Sequence, residues 1–279
     1  MSKYADLHIH TSYSDSSLSP EEVVEQASRN GLSCISITDH DTIEGVEPAL
    51  KRAEGLDLEI IPGIELSSEI NGRDIHILGY FLRNPGHDFM EKLVSIQDSR
   101  IARMKEMIEK LNQVFGIDNI TLDEVCDLAR SNSVGRPHLA LTLKKKGWIT
   151  TTAKAFSKYI GEGDPAYVAK YKQTPAEAIK LIHDAGGASV FAHPMVTGAD
   201  EIIPGLVKAG LDGIEVYYCG ASKNIIKFYE KIAEKHNLIL TGGSDAHGAS
   251  KTFEQIGMIK MPYDLVEMLK QKINDKEVD

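Results

Sequence analysis

An α/β barrel, or a close relative of one, interrupted by an all-helical insertion is the fold that this sequence predicts. Three observations carry that expectation. Short apolar runs with strand periodicity alternate with amphipathic helical segments in about seven units, which implies parallel strands joined by crossover helices. The alternation then stops for roughly a hundred residues in mid-chain, where only helical periodicity is present. Finally, most of the histidines fall on or just beyond predicted strands, and in a parallel barrel the strand ends share one rim.

The first strand is Asp6-Leu7-His8-Ile9-His10. Period-2 alternation sets His8 and His10 on one face, about 7 Å apart, a spacing at which two imidazoles can serve one metal ion. On its own the pair also fits an edge strand with two solvated histidines. A polar loop leads to Ser19-Pro20-Glu21-Glu22, a helix start with Ser at the N-cap, Pro at N1 and Glu at N3. Val23, Val24 and Ala27 form that helix's apolar stripe, and Gly31 closes it. The second strand covers 32–38 and ends in Asp39-His40-Asp41, and a short helix is predicted over 45–54. A third strand runs from 58 toward Glu65, and a fourth, over 74–81, carries His76.

A long amphipathic helix is predicted over 87–115, followed by a capping box at Thr121-Leu122-Asp123-Glu124 and helical pieces over 134–146 and 151–159. Residues 98–165 are the expected insertion, with 1–97 and 166–279 forming the barrel. Alternation resumes at the capped start Thr174-Pro175-Ala176-Glu177. It continues through a strand at 188–192 leading to His193, a helix near 201–209, a strand at 213–217 and a helix at 223–235. A strand at 238–241 runs into Gly242-Gly243-Ser244-Asp245-Ala246-His247, and the last helix fits 263–273.

Composition limits the functions. With 31 basic and 41 acidic residues the formal net charge is −10, a poor balance for gripping duplex DNA through its phosphates. A small anionic substrate remains compatible, because bound divalent ions reverse the sign of a site locally. No apolar run approaches the ~18 residues of a membrane span, and no secretory leader is apparent. The three scattered cysteines, Cys34, Cys126 and Cys219, suit reduced thiols, so a cytoplasmic location is expected.

Six of the ten histidines (His8, His10, His40, His76, His193 and His247) sit at strand ends, accompanied by Asp15, Glu65 and Asp245. Buried imidazole and carboxylate at that density need partners, which divalent ions supply. Nine donors exceed what one ion takes. Three divalent ions less three carboxylates leave a charge of about +3, which selects a compact anion such as phosphate. Multinuclear sites of this type suit in-line attack on phosphorus by a metal-activated hydroxide.

Together, DLHIHTSYSD, SITDHD, GIELS, DIHILGY, FAHP and GSDAHG resemble the PHP (polymerase and histidinol phosphatase) family. The resemblance implies a distorted (β/α)7 TIM-like barrel with a two- or three-metal phosphoesterase site. It implies one ion on His8, His10, Glu65 and Asp245. Glu65 would bridge to a second ion on His76 and His193, and Asp15, His40 and His247 would hold a third. Some members carry His in place of Asp15. Asp6 and Ser67 are expected either to orient ligands or to bond locally.

Gly135-Arg136-Pro137-His138-Leu139 looks like the RPH segment of a PHP subgroup acting on nucleotide phosphates, in which the helical insertion covers the barrel mouth. That implies Arg136 as a phosphate clamp and His138 as a phosphate ligand or proton donor to the leaving group. Arg100 and Arg103, one helical turn apart, are further candidates for phosphate contacts, although the pattern fits a solvated helix face better. Tyr218 and Cys219 are expected to pack at the rim.

The expected activity is hydrolysis of a nucleoside monophosphate or 3′,5′-bisphosphate, with two to three Mn, Fe or Zn ions as cofactors. The alternatives are 5′–3′ degradation of short RNA, histidinol phosphate hydrolysis, and a non-catalytic metal-binding PHP module.

Overall fold

In the computed structural model, residues 3–83, 85–129, 132–169, 173–250 and 254–276 are described. The chain opens with β1 (Tyr4–Ile9), α1 (Pro20–Arg29), β2 (Cys34–Ile37) and α2 (Val46–Ala53). Next come two longer strands, β3 (Glu59–Ile70) and β4 (Arg73–Tyr80). Four helices follow without a strand: α3 (His87–Phe115), α4 (Leu122–Cys126), α5 (Arg136–Lys145) and α6 (Thr152–Lys158). The second half holds α7 (Pro175–Asp184), β5 (Ala188–Phe191), α8 (Pro194–Thr197), α9 (Ile203–Lys208) and β6 (Gly213–Tyr218). It ends with α10 (Lys223–His236), β7 (Ile239–Gly243), β8 (Met261–Pro262) and α11 (Asp264–Lys276).

Local chemistry sets the helix starts. At α1 the Ser19 side chain accepts from the Glu22 amide (3.3 Å) and Glu22 accepts from the Ser19 amide (2.7 Å). Thr121–Glu124 and Thr174–Glu177 repeat this reciprocal cap at α4 and α7. The 29-residue α3 ends where Gly116 turns left-handed, at φ 64°.

The sheet order is β7-β6-β5-β4-β3-β2-β1-β8. The seam between first and last long strands is closed by backbone bonds from Asp245 N–H to His8 O (2.8 Å) and from His10 N–H to Ala246 O (3.1 Å). The result is a nearly closed barrel of the distorted TIM-like kind.

Three pairings differ from uniform parallel alternation: the two-residue β8 runs antiparallel to β1, and β4 accounts for the other two. β4 runs antiparallel to both β3 and β5. Asn71 and Gly72, at φ 52° and 83°, form the two-residue hairpin turn that reverses the chain. The reversal matters for the site. On an antiparallel strand the early residues, not the late ones, reach the rim, and this is what brings His76 beside Ser67 and Glu65.

The core is divided. On β4, Leu78 and Tyr80 lie in a buried cluster with Ile61, Val190 and the α11 residues Val266, Leu269 and Ile273. A separate cluster is built from residues of α3–α6 and the segments joining them, including Met107, Leu111, Leu139, Leu143 and Ile160. α3 serves both sides: Phe89 and Leu93 pack on the barrel's outer core, whereas Met104 and Met107 belong to the helical cluster. No helix among the described residues is long and apolar enough to cross a membrane.

The seam leaves no room for a side chain at its closing residue. A Cβ on Gly243 would stand 2.8 Å from His8 Cα and closer still to His8 N and Cβ. Gly243→Ala is expected to cost about 3 kcal/mol, the upper range for overpacking, read as a lower midpoint in urea denaturation. Gly205→Ala, in α9 with nothing within 4 Å, should leave stability unchanged or raise it by about 0.5–1 kcal/mol.

Candidate active site

The nine expected ligand residues converge at one rim. His8 and His10 come from the end of β1, Asp15 lies in the loop after it, His40 follows β2, Glu65 and His76 sit on the two strands of the hairpin, His193 follows β5, and Asp245 and His247 follow β7. Glu65 lies at the centre and is 1% exposed. Its Oε2 stands 3.0 Å from His40 Nδ1, 3.2 Å from His10 Nε2 and 3.4 Å from His8 Nε2. Its Oε1 stands 2.8 Å from His76 Nδ1 and 3.1 Å from His193 Nε2. Asp245 Oδ1 approaches His10 Nε2 at 3.1 Å, and Asp15 Oδ1 approaches His247 Nε2 at 3.1 Å.

Donor chemistry fits metal ions. His8 Nε2 and His10 Nε2 lie 3.2 Å apart. Asp15 Oδ1, His40 Nδ1, Glu65 Oε2 and His193 Nδ1 are buried atoms with no hydrogen-bond partner among the described residues. Atoms that crowd to 3.0 Å without hydrogen bonding direct lone pairs at shared space, which is what a cation occupies. Three overlapping groups can each surround an ion: His8–His10–Asp245, His40–Glu65–His76 and His10–Asp15–His40–His247.

The charges are strongly coupled. Burial disfavours ionised Glu65, but His40, His76 and His8 outweigh it and hold its carboxyl well below the usual range. Burial also opposes protonation of His10, yet Asp245 and Glu65 raise it to about 9. His40 goes the other way: burial pushes it well below the usual imidazole range.

Several contributors were not apparent from sequence. Glu215, in β6 and 1% exposed, holds His8 Nδ1 at 3.0 Å and accepts the His193 amide at 2.7 Å. Asp39 accepts the Thr11 amide (2.7 Å) and the Ser14 hydroxyl (2.6 Å), tying down the loop that carries Asp15. Tyr218 donates to Asp245 Oδ2 at 2.8 Å and stands edge-on to the His193 ring, so it touches a candidate ligand rather than only packing at the rim. Glu254 lies close enough to Asp245 and His247 to form a fourth donor group. The only signal for Glu215 is a charged residue inside an apolar strand, GIEVYY.

Asp6 bonds backbone rather than ligand side chains. It accepts the amides of Ser244 (2.8 Å) and Gly257 (2.9 Å), and burial raises its carboxyl to about 6 against those bonds. The Ser67 hydroxyl accepts from Arg100 Nη2 at 2.9 Å.

Next to the cluster lies a cavity of about 190 Å³ whose lining includes Asp15, His40 and His76 together with Arg100, Arg103 and Arg136. Arg100 is not a solvated helix residue. Its Nε donates to Asp41 Oδ2 at 2.8 Å, and its Nη1 reaches Val134 O. Arg103 is 7% exposed; its Nε donates to Val168 O, while Nη2 has no partner among the described residues. Burial, with Arg136 nearby, lowers the Arg103 guanidinium to about 10, so it stays charged at neutral pH. His138 is buried, does not line this cavity, and accepts the Gly135 amide at Nδ1 (3.0 Å). Its ring also bonds the Ser14 backbone.

Comparisons with known proteins agree with this geometry. The chain is 35% identical over 254 residues to a 5′-3′ exoribonuclease of Haemophilus influenzae, covering 88% of this chain and 91% of that one. It is 28% identical to a 3′,5′-nucleoside bisphosphate phosphatase of Chromobacterium violaceum, over 90% of each chain. Among solved structures, a Bifidobacterium adolescentis protein provisionally described as a metal-dependent phosphoesterase superposes with a TM-score of 0.87 at 30% identity, covering 97% of this chain and 96% of that one. The PHP domain family matches residues 6–183, more than half of the chain. By its motif set, its rim of imidazoles and carboxylates and these matches, the chain belongs to the PHP family.

Proposed function

We propose that the protein is a metal-dependent hydrolase of nucleotide phosphoesters, acting on substrates that carry a second phosphate. The observation that carries this reading is the cavity itself. It is lined both by candidate metal ligands, Asp15, His40 and His76, and by three guanidiniums, so metal ions and arginines would offer positive charge to two anionic groups in one space. A nucleoside 3′,5′-bisphosphate has two such groups, and so does the 5′-phosphorylated end of a short RNA. The relatives named as a bisphosphate phosphatase and as 5′-3′ exoribonucleases support that class.

The residues divide the work. His8, His10, Asp15, His40, Glu65, His76, His193, Asp245 and His247 are proposed to hold two to three ions, with Glu65 bridging. Mixed imidazole and carboxylate donors accept Mn, Fe or Zn. When bound, such ions make water nucleophilic near neutral pH and balance charge on phosphoryl oxygens. Arg136 is proposed to clamp the second phosphate, aided by Nη2 of Arg103, which has no partner among the described residues. Arg100, engaged with Asp41, orders the arginines and lies within reach of the same anion. His138, with its ring bonded to Gly135 and Ser14, is proposed to fix the Arg136 turn against the Asp15 loop, so substrate contact is left to Arg136. Glu215 is proposed to keep His8 and His193 aimed: by accepting from His8 Nδ1–H it leaves Nε2 as the ligating nitrogen. The helices over 98–165 are proposed as the unit that brings these arginines to the barrel. Three free cysteines fit a reducing cytoplasm.

Three measurements test these assignments. Protein loaded with Mn should hold two to three ions per chain by elemental analysis and hydrolyse nucleoside 3′,5′-bisphosphates or 5′-phosphorylated oligoribonucleotides. Chelation should abolish turnover, and His10→Ala should lose at least one ion. A fully loaded protein inert toward every phosphate ester would sink the enzyme assignment. Arg136→Ala should raise KM about 10–100-fold, the loss of a charge-assisted bidentate contact, with metal content unchanged; loss of metal would show that the two sets of residues are wrongly divided. Glu215→Ala should weaken metal affinity about 10–100-fold, while Glu215→Gln, which keeps an acceptor for His8, should recover part of it.

A further inference from the structure

The 190 Å³ cavity is smaller than the roughly 300 Å³ at which pockets begin to enclose a whole drug-sized ligand. A sugar with its phosphates can fill it, but the base of a nucleotide must then lie at the mouth. Among the described residues that line the cavity, one carries a benzene ring: Phe156, on α6, with 36% of its surface exposed.

Phe156 ends a layered arrangement of cations and rings. The Arg103 guanidinium lies 5.6 Å from the Tyr167 ring centroid, Arg136 lies 5.5 Å from the same ring, and Arg136 lies 5.7 Å from Phe156. Guanidinium planes and aromatic faces attract through the ring quadrupole, so each layer holds the next in place. Tyr167 carries two cations, whereas Phe156 carries Arg136 alone among the described residues. The ring is not used as core: the buried residue of α6 is Ala155.

We infer that Phe156 is a stacking platform for the substrate's base, placed so that the base adds the next layer while the phosphates meet the arginines and the Glu65 cluster. This rests on the nucleotide phosphoesterase reading above. The platform does not read base identity. Of the charged groups that line the cavity with it, Arg136 and Asp74 face each other at 3.9 Å, and stacking on an aromatic face tolerates every base. The substrate class is therefore any 5′-phosphorylated ribonucleotide with a 3′ phosphoester, whatever its base.

The test compares nucleoside 3′,5′-bisphosphates of the four bases with the abasic tetrahydrofuran 3′,5′-bisphosphate, using metal-loaded wild-type, Phe156→Ala and Phe156→Trp proteins. The four nucleotides should differ from one another by only a few-fold and exceed the abasic compound by about 10–100-fold in kcat/KM. Phe156→Ala should bring the nucleotides down toward the abasic level while lowering the abasic rate far less, the small loss being that of the Arg136 contact, and Phe156→Trp should retain the preference. Binding of 2-aminopurine riboside 3′,5′-bisphosphate, followed by fluorescence, should show quenching that Phe156→Ala removes. Equal losses on nucleotide and abasic substrates, or an undiminished base preference in Phe156→Ala, would overturn the platform. If no substrate turns over, the phosphoesterase reading fails, and the 2-aminopurine signal alone then decides whether Phe156 stacks a base.

Discussion

A single buried carboxylate, Glu65, imposes the order on which the rest of the rim depends. Five imidazoles from four separate stretches of chain stand within 3.4 Å of its two oxygens. A carboxylate buried without such partners would be prohibitively costly, so the strand ends are constrained in register as well as in position. Part of that constraint is stored in the backbone. Asp41, His193 and Asp245 all sit at positive φ (52°, 29° and 52°), a region costing about 1–3 kcal/mol for residues other than glycine. Each is held there by an amide bond: Asp41 to Glu65 O, His193 to Glu215, Asp245 to His8 O. The strained residues are candidate ligands or their immediate neighbours, so the strain coincides with the chemistry.

Much of this was legible in the residues, and the remainder was not for identifiable reasons. Capping boxes are local, so the starts of α1, α4 and α7 follow directly from Ser19–Glu22, Thr121–Glu124 and Thr174–Glu177. Histidines at strand ends are legible because strand ends share a rim. The reversal of β4 was available in Asn71-Gly72, but the prevailing strand–helix rhythm pointed to a parallel strand; turn chemistry prevailed over rhythm. Glu215 was out of reach, because it lies 207 residues from His8 and periodicity says nothing about which long-range polar pair forms. The arginines show a similar limit. Arg100 on a helix looks solvated until Asp41, 59 residues away, is seen to hold it.

The helical unit and the barrel are less separate than two cores suggest. α3 contributes to both hydrophobic clusters, Arg100 grips Asp41, and Gln97 donates to Asp41 O at 3.1 Å. Ser133 bonds His40 O. The stretch His40–Asp41 is thus clamped from the side of the arginines, so disturbance of the helices reaches a candidate ligand without touching it. Rigid coupling of this type favours a fixed distance between the Glu65 cluster and the arginines, as the proposed two-phosphate substrate would require.

The seam between β1 and β7 has a consequence for biogenesis. Some 235 residues separate His10 from Asp245 along the chain, so the two sides of the seam leave the ribosome far apart in time. Chains emerge at about 5–20 residues per second and fold from the N-terminal side first, so the early histidines wait seconds for the carboxylate that completes their group. Until then the nascent chain presents two imidazoles without Asp245, the third member of their candidate metal group, so a product truncated before the seam lacks that group.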